Sequence, residues 1–157
     1  MTAIGMETFL SRPANRSPSD AERAVTANTV GADLMISLRC ATHPTPSADG
    51  VASFHFGNSH GSVSTIGRNL ADFIQREVVA RTGLQDCRVH GRTWDLLRLT
   101  RMPTVQVDVG YITNPKDRAM TESQPDTAPD DLPPPGDWTA EMEITTAEEG
   151  YSPRGGA

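Results

Sequence analysis

Four histidines, two cysteines and one strand-borne acid are the residues of this sequence whose types could carry chemistry. A metal centre needs three or four His, Cys, Asp or Glu side chains converging on one point. His43, His55, His60 and His90 form no H-x-x-x-H or H-E-x-x-H pair. His55 and His60 flank a turn and could approach each other, but each histidine reads best as a surface or loop residue. Cys40 and Cys87 follow or lie within strands and read as small buried hydrophobes rather than nucleophiles. Asp108 is different. In Thr104–Gly110, Val105, Val107 and Val109 face one way, and Gln106 and Asp108 the other. An acid at the end of such a strand points to the crevice where α/β proteins place their sites, or else lies on a solvated face or pairs with one of the many arginines. No G-x-x-x-x-G-K, G-x-G-x-x-G or G-x-S-x-G is present.

These residues must be positioned by strands and helices in alternation. Glu7–Arg12 suggests a short strand. Ser17-Pro18-Ser19-Asp20 suggests a helix start, with Ser17 as the cap, Pro18 in the first turn and Gly31 as the stop. Leu34–Leu38 is a nearly continuous apolar run, which predicts a strand buried on both faces. Val51–Phe56 reads as a strand with Phe54 and Phe56 on one face. Ile66, Leu70, Phe73, Ile74 and Val78 recur at helical spacing, with Gly83 as the stop. Cys87–His90 suggests a short strand. Asn114-Pro115-Lys116-Asp117 opens a helix that has only Arg118, Ala119 and Met120 before the tail composition begins, too brief to be a stable element. The alternation indicates an α/β sheet with helices packed on it.

Composition divides the 157 residues in two. The net charge is −6, and 36% of residues are hydrophobic and 5% aromatic. From Thr121 onward nine acids face Arg154 alone, and half of the twelve prolines lie there. Such a segment cannot offset the entropy of ordering a chain, so 121–157 is expected to be a disordered acidic tail and 1–120 the folding domain. The acidic balance argues against nucleic acid as a partner. No apolar run is long enough to span a membrane. The first residues show no secretory signal, which leads to an expected cytoplasmic location.

The order of motifs resembles a known family. Phe9-Leu10-Ser11-Arg12, Ala32-Asp33-Leu34-Met35-Ile36-Ser37-Leu38 and Met102-Pro103-Thr104-Val105 precede Val107-Asp108-Val109-Gly110-Tyr111-Ile112-Thr113-Asn114-Pro115. Together they are similar to the zinc-dependent N-acetylmuramoyl-L-alanine amidases, which cut the bond between muramic acid and the stem peptide of peptidoglycan. The resemblance spans about residues 7–120. It implies a mixed, twisted α/β sheet with helices on both faces, here incomplete, since the family's first zinc-binding motifs would precede this chain. It places Arg39 where active members carry a zinc histidine and Asp108 where they carry the catalytic glutamate. A guanidinium stays protonated and repels a dication. The resemblance therefore implies no cofactor here, although active members use zinc. It also implies that Asp108 is inactive as a catalytic carboxylate. Arg39 and Asp108 should meet as an ion pair, and with Gln106 they form the candidate binding residues. The expected partner is a peptidoglycan precursor or a protein of cell-wall synthesis.

Overall fold

A computed structural model describes residues 7–11 and 17–122, and those from Phe9 onward belong to one compact unit. Four strands, β1 (Met35–Ala41), β2 (Val51–Phe56), β3 (Asp86–Arg92) and β4 (Thr104–Tyr111), form one sheet in the order β1-β4-β2-β3. β1 runs parallel to β4, β4 antiparallel to β2, and β2 parallel to β3, so the sheet is mixed. Four helices complete the domain: α1 (Asp20–Val30), α2 (Thr65–Thr82), α3 (Asp95–Leu99) and α4 (Pro115–Glu122). No helix among the described residues is long and apolar enough to cross a membrane.

The valines of β4 explain one face. Val105 and Val107 are fully buried with Val51, Ala71 and Leu84, and Leu70, Ile74 and Val78 of α2 pack against them. On the opposite face Ala24 and Ala27 of α1 meet Met35 and Leu96, while Ala52 and Phe54 pack with Leu97 and Trp94. Helices therefore cover both faces, and Gln106 and Asp108 share their face with α1 and α3. Gly31 and Gly83 end α1 and α2 in the left-handed conformation, as the sequence predicts.

Several local expectations need correction. The cap of α1 is Ser19, not Ser17: Ser19 Oγ accepts from the Glu22 amide, and Glu22 Oε2 accepts from the Ser19 amide. Glutamate three residues after Ser19 closes this box, whereas Ser17 has only the shorter aspartate at that distance. β1 is an edge strand rather than one buried on both faces. Its Met35 and Ser37 are buried, but Ile36 and Leu38 are 45% and 66% exposed, because α2 lies over β2, β3 and β4. Residues 7–11 form no strand. α3 has no counterpart in the sequence reading, since five residues give too little periodicity to detect. α4 does form and runs past Met120. Asn114 Oδ1 caps it by accepting from the Lys116 and Asp117 amides, and Asp117 accepts from the Gly50 and Tyr111 amides at 2.8 and 3.0 Å. That anchoring to the sheet supports a helix too short to persist alone. The expected disordered tail lies outside the described residues, apart from the end of α4.

Candidate functional site

β1 and β4 are parallel neighbours in which Arg39 stands beside Asp108. Arg39 Nε donates to Asp108 Oδ1 at 2.5 Å and Nη2 donates to Oδ2 at 3.0 Å, a bidentate pair. Gln106, two residues earlier on the same face of β4, donates from Nε2 to Asp108 Oδ1 at 3.2 Å. The three candidate residues thus form one connected group. The Asp108 side chain is only 8% exposed, whereas that of Arg39 is 48% exposed. The hydrogen bonds that Arg39 donates to Asp108 raise the guanidinium above its ordinary pKa, against the opposing effect of burial. Arg39 is a fixed cation in any aqueous condition.

Aromatic residues complete the surroundings, and sequence reading did not single them out for this site. The Arg39 guanidinium carbon lies 5.5 Å from the centroid of Trp94, within the range of cation–π attraction. Trp94 packs on Phe54 with ring centroids 4.6 Å apart. Arg92 reaches the same ring at 6.0 Å and Phe54 at 5.7 Å. A cavity of about 500 Å³ opens beside this group, lined by Ser19, Asp20, Arg39, Thr93, Trp94 and Asp95. The N-terminus of α1 and the segment leading into α3 therefore form its walls. The only sequence signal for Trp94 was its rarity: a large ring just ahead of the Asp95-Leu96-Leu97 run.

The remaining candidates do not converge. His43 Nδ1 accepts from the Thr45 amide on the surface, His60 is exposed, and His90 Nε2 donates to the Cys87 carbonyl at 2.7 Å. His55 is buried, contrary to the surface reading, because it lies on β2 in the middle of the sheet. Cys40 is exposed rather than buried, since it lies on the edge strand. Cys87 is partly buried and donates to the Asp49 carbonyl, and burial pushes its thiol pKa up. Neither cysteine has the environment of an activated nucleophile.

The zinc implied by the family resemblance does not suit these residues. Among the described residues no three His, Cys, Asp or Glu side chains could hold a metal ion together. Asp108 is already bound through both oxygens to a permanent cation, and a guanidinium is no ligand for zinc.

A mixed sheet with helices on both faces, and a polar pair on β1 and β4 beside an aromatic wall, define a mixed α/β domain. A family model described as N-acetylmuramoyl-L-alanine amidase matches residues 1–128, and the chain belongs to that family. Among curated relatives it is 85% identical over 123 residues to the N-acetylmuramoyl-L-alanine amidase CwlM of Mycobacterium tuberculosis, covering 78% of this chain and 30% of CwlM. It is 27% identical to the amidase LytC of Bacillus subtilis, covering 74% of this chain and 23% of LytC. The chain thus spans less than a third of the length of these relatives. The catalytic domain of CwlV from Bacillus (Paenibacillus) polymyxa shares the fold with a TM-score of 0.66 at 20% identity, over 74% of this chain and 62% of that one. Ami1 from Mycobacterium smegmatis matches with a TM-score of 0.63 at 25% identity, over 78% and 60% of the two chains.

Proposed function

We propose that this chain is a catalytically inactive, amidase-like binding module of peptidoglycan metabolism. The observation that carries the reading is the bidentate Arg39–Asp108 pair. Hydrolysis of an unactivated amide needs a polarised carbonyl and an activated water. Here the carboxylate available for general-base work is committed to a guanidinium, and Arg39 takes the position that the family resemblance gives to a metal ligand. What the group can do is bind. Arg39 keeps N–H groups free of Asp108, is half exposed and lies against Trp94, a setting suited to a carboxylate or phosphate. A peptidoglycan precursor carries both groups, and a cytoplasmic location would give access to the soluble precursors.

Two measurements on the full chain test the reading. Muropeptide incubated with the protein should release no stem peptide, and dialysed protein should hold no stoichiometric zinc. Titration with a UDP-linked muramoyl-pentapeptide should give saturable heat that Arg39→Met weakens about tenfold, the worth of one charge-assisted contact. Stem-peptide release, or one tightly held zinc per chain, would refute inactivity; absence of saturable binding would refute the binding role.

A second reading is favoured by the exposed Ile36 and Leu38: a non-functional remnant of an amidase-like protein. Cooperative urea unfolding separates the two, since a remnant lacking part of its core should unfold broadly.

A further inference from the structure

On the sheet face opposite Asp108, β2 ends at a second cavity. Its key residue is His55, which is 6% exposed. His55 stands across from Val105 of β4, in the layer that α2 covers, and across from Gly91 of β3. Its Nδ1 lies 2.9 Å from the Phe56 carbonyl oxygen. A carbonyl oxygen carries no proton, so Nδ1 holds the hydrogen and, in the neutral ring, Nε2 keeps a lone pair. Among the described residues Nε2 has no hydrogen-bond partner. No buried side-chain nitrogen or oxygen of the described residues lacks a partner, so Nε2 is not sealed off from solvent, and His55 lines this cavity.

Glycines make this space. Gly57, just past the end of β2, lies close against Gly91 of β3, and neither has a positive φ. A Cβ on Gly57 would stand 3.2 Å from the Gly91 Cα and 3.4 Å from the His55 ring, and one on Gly91 would stand 3.3 Å from the Gly57 Cα. The cavity of about 530 Å³ extends from these glycines to Arg68 and Asp72 on the first turns of α2, with Ser59 and Ser62 in the connecting loop.

The chemistry of the lining selects its occupant. Arg68 Nε and Asp72 Oδ2 are 3.9 Å apart, so they cancel in charge while still offering donors and acceptors. An anion would find little to hold it. The His60 and Ser62 amides already donate to Asn58 Oδ1, and the Gly67 amide at the start of α2 donates to Ser64 Oγ. A metal ion would lack a third ligand. An apolar ligand would leave the imidazole nitrogen unpaired at a cost. What remains is a neutral ligand whose groups both donate and accept. We propose that this cavity is a binding site for a neutral polyhydroxylated ligand, a sugar ring, with one hydroxyl donating to His55 Nε2 and neighbouring hydroxyls bridging Arg68 and Asp72. The site is separate from the Arg39 group and does not depend on how that group is read.

The imidazole and backbone-amide signals of the full chain, labelled uniformly with ¹⁵N, give the test. Glucose, N-acetylglucosamine and myo-inositol are added separately, with sodium phosphate and sodium acetate as charged alternatives. At least one of the sugars or inositol should shift the His55 Nε2 resonance saturably, while phosphate and acetate leave it in place. His55→Phe should abolish sugar binding followed by the backbone amides of Gly91 and Ser62. Arg68→Ala, on the exposed side of α2, should weaken it about tenfold with the spectrum of the folded domain retained; it decides the matter if His55→Phe fails to fold. A shift with phosphate or acetate alone would overturn the proposal in favour of an anion site. No shift with any probe, or sugar binding unchanged in Arg68→Ala, would overturn it outright.

Discussion

Arg39 and Asp108 are unequal partners, and their difference in exposure sets what each substitution should do. Removing the guanidinium leaves a buried carboxylate supported by Gln106 alone. Removing the charge from Asp108 leaves a half-exposed guanidinium that can turn to water. Arg39→Met should therefore destabilise the domain by about 1–3 kcal/mol, and Asp108→Asn by less, since the amide oxygen still accepts from Arg39. Urea unfolding of both variants checks the order; equal losses would mean that the pair is hydrated more evenly than its geometry indicates. This pair was legible in the sequence only through the family resemblance, because 69 residues separate its members. Asp108 alone was legible from the alternation of β4. Trp94 and the burial of His55 were not, because a ring before a five-residue helix and a histidine in an apolar strand leave no periodic mark.

At the scale of elements, α2 is joined to the sheet by a polar contact inside the apolar layer. Gln75 is buried and accepts from Ser53 Oγ at 2.8 Å, while its amide nitrogen donates at 2.7 Å both to the Val51 carbonyl and to Asp86 Oδ1. The bond from Gln75 chiefly, and then that from the Arg88 amide, holds the Asp86 carboxyl below its ordinary pKa. A carboxyl lowered on folding adds stability that is present above the unfolded value of 3.8 and lost as the pH falls through the folded value. Asp86→Asn should accordingly flatten the acid limb of the stability profile below about pH 4. Gln75→Leu should cost about 1–3 kcal/mol at neutral pH by orphaning Ser53 and Val51. Thermal unfolding between pH 3 and 7 reads both effects. The stripe and stop of α2 were plain in the sequence, as was the alternation of β4. The buried glutamine was not, because periodicity reports where a helix faces inward and not which polar group is satisfied there. The apolar run of β1 misled for a related reason: it shows a strand able to be buried on both faces, while its place at the edge is settled by the pairing of other strands.

For the molecule as a whole, the consequence of that edge is an open apolar border. Ile36 and Leu38 continue the layer of Val105 and Val107 beyond the cover of α2, and among the described residues β1 has one side without a neighbouring strand. Such edges promote association unless a charge interrupts them. Leu38→Lys should lower the concentration-dependent scattering of the protein while changing its stability by no more than about 0.5 kcal/mol, as expected for an exposed position. Light scattering and urea unfolding of the variant and the parent chain give the two numbers, and unchanged scattering would show that the border is harmless.

The strand order also fixes a sequence of events. α2 and its two neighbouring strands are close along the chain, whereas β1 reaches β4 only after a long loop has closed. Loop closure must precede the contacts that reward it. The Arg39–Asp108 group should thus form late, after the α2 layer has consolidated. Substitutions there would speed unfolding and leave the refolding rate nearly untouched, whereas substitutions at Gln75 would slow refolding. The group beside Trp94 would then be the first part of the domain to open and the last to close, so a ligand seated against it would act chiefly on the lifetime of the folded chain.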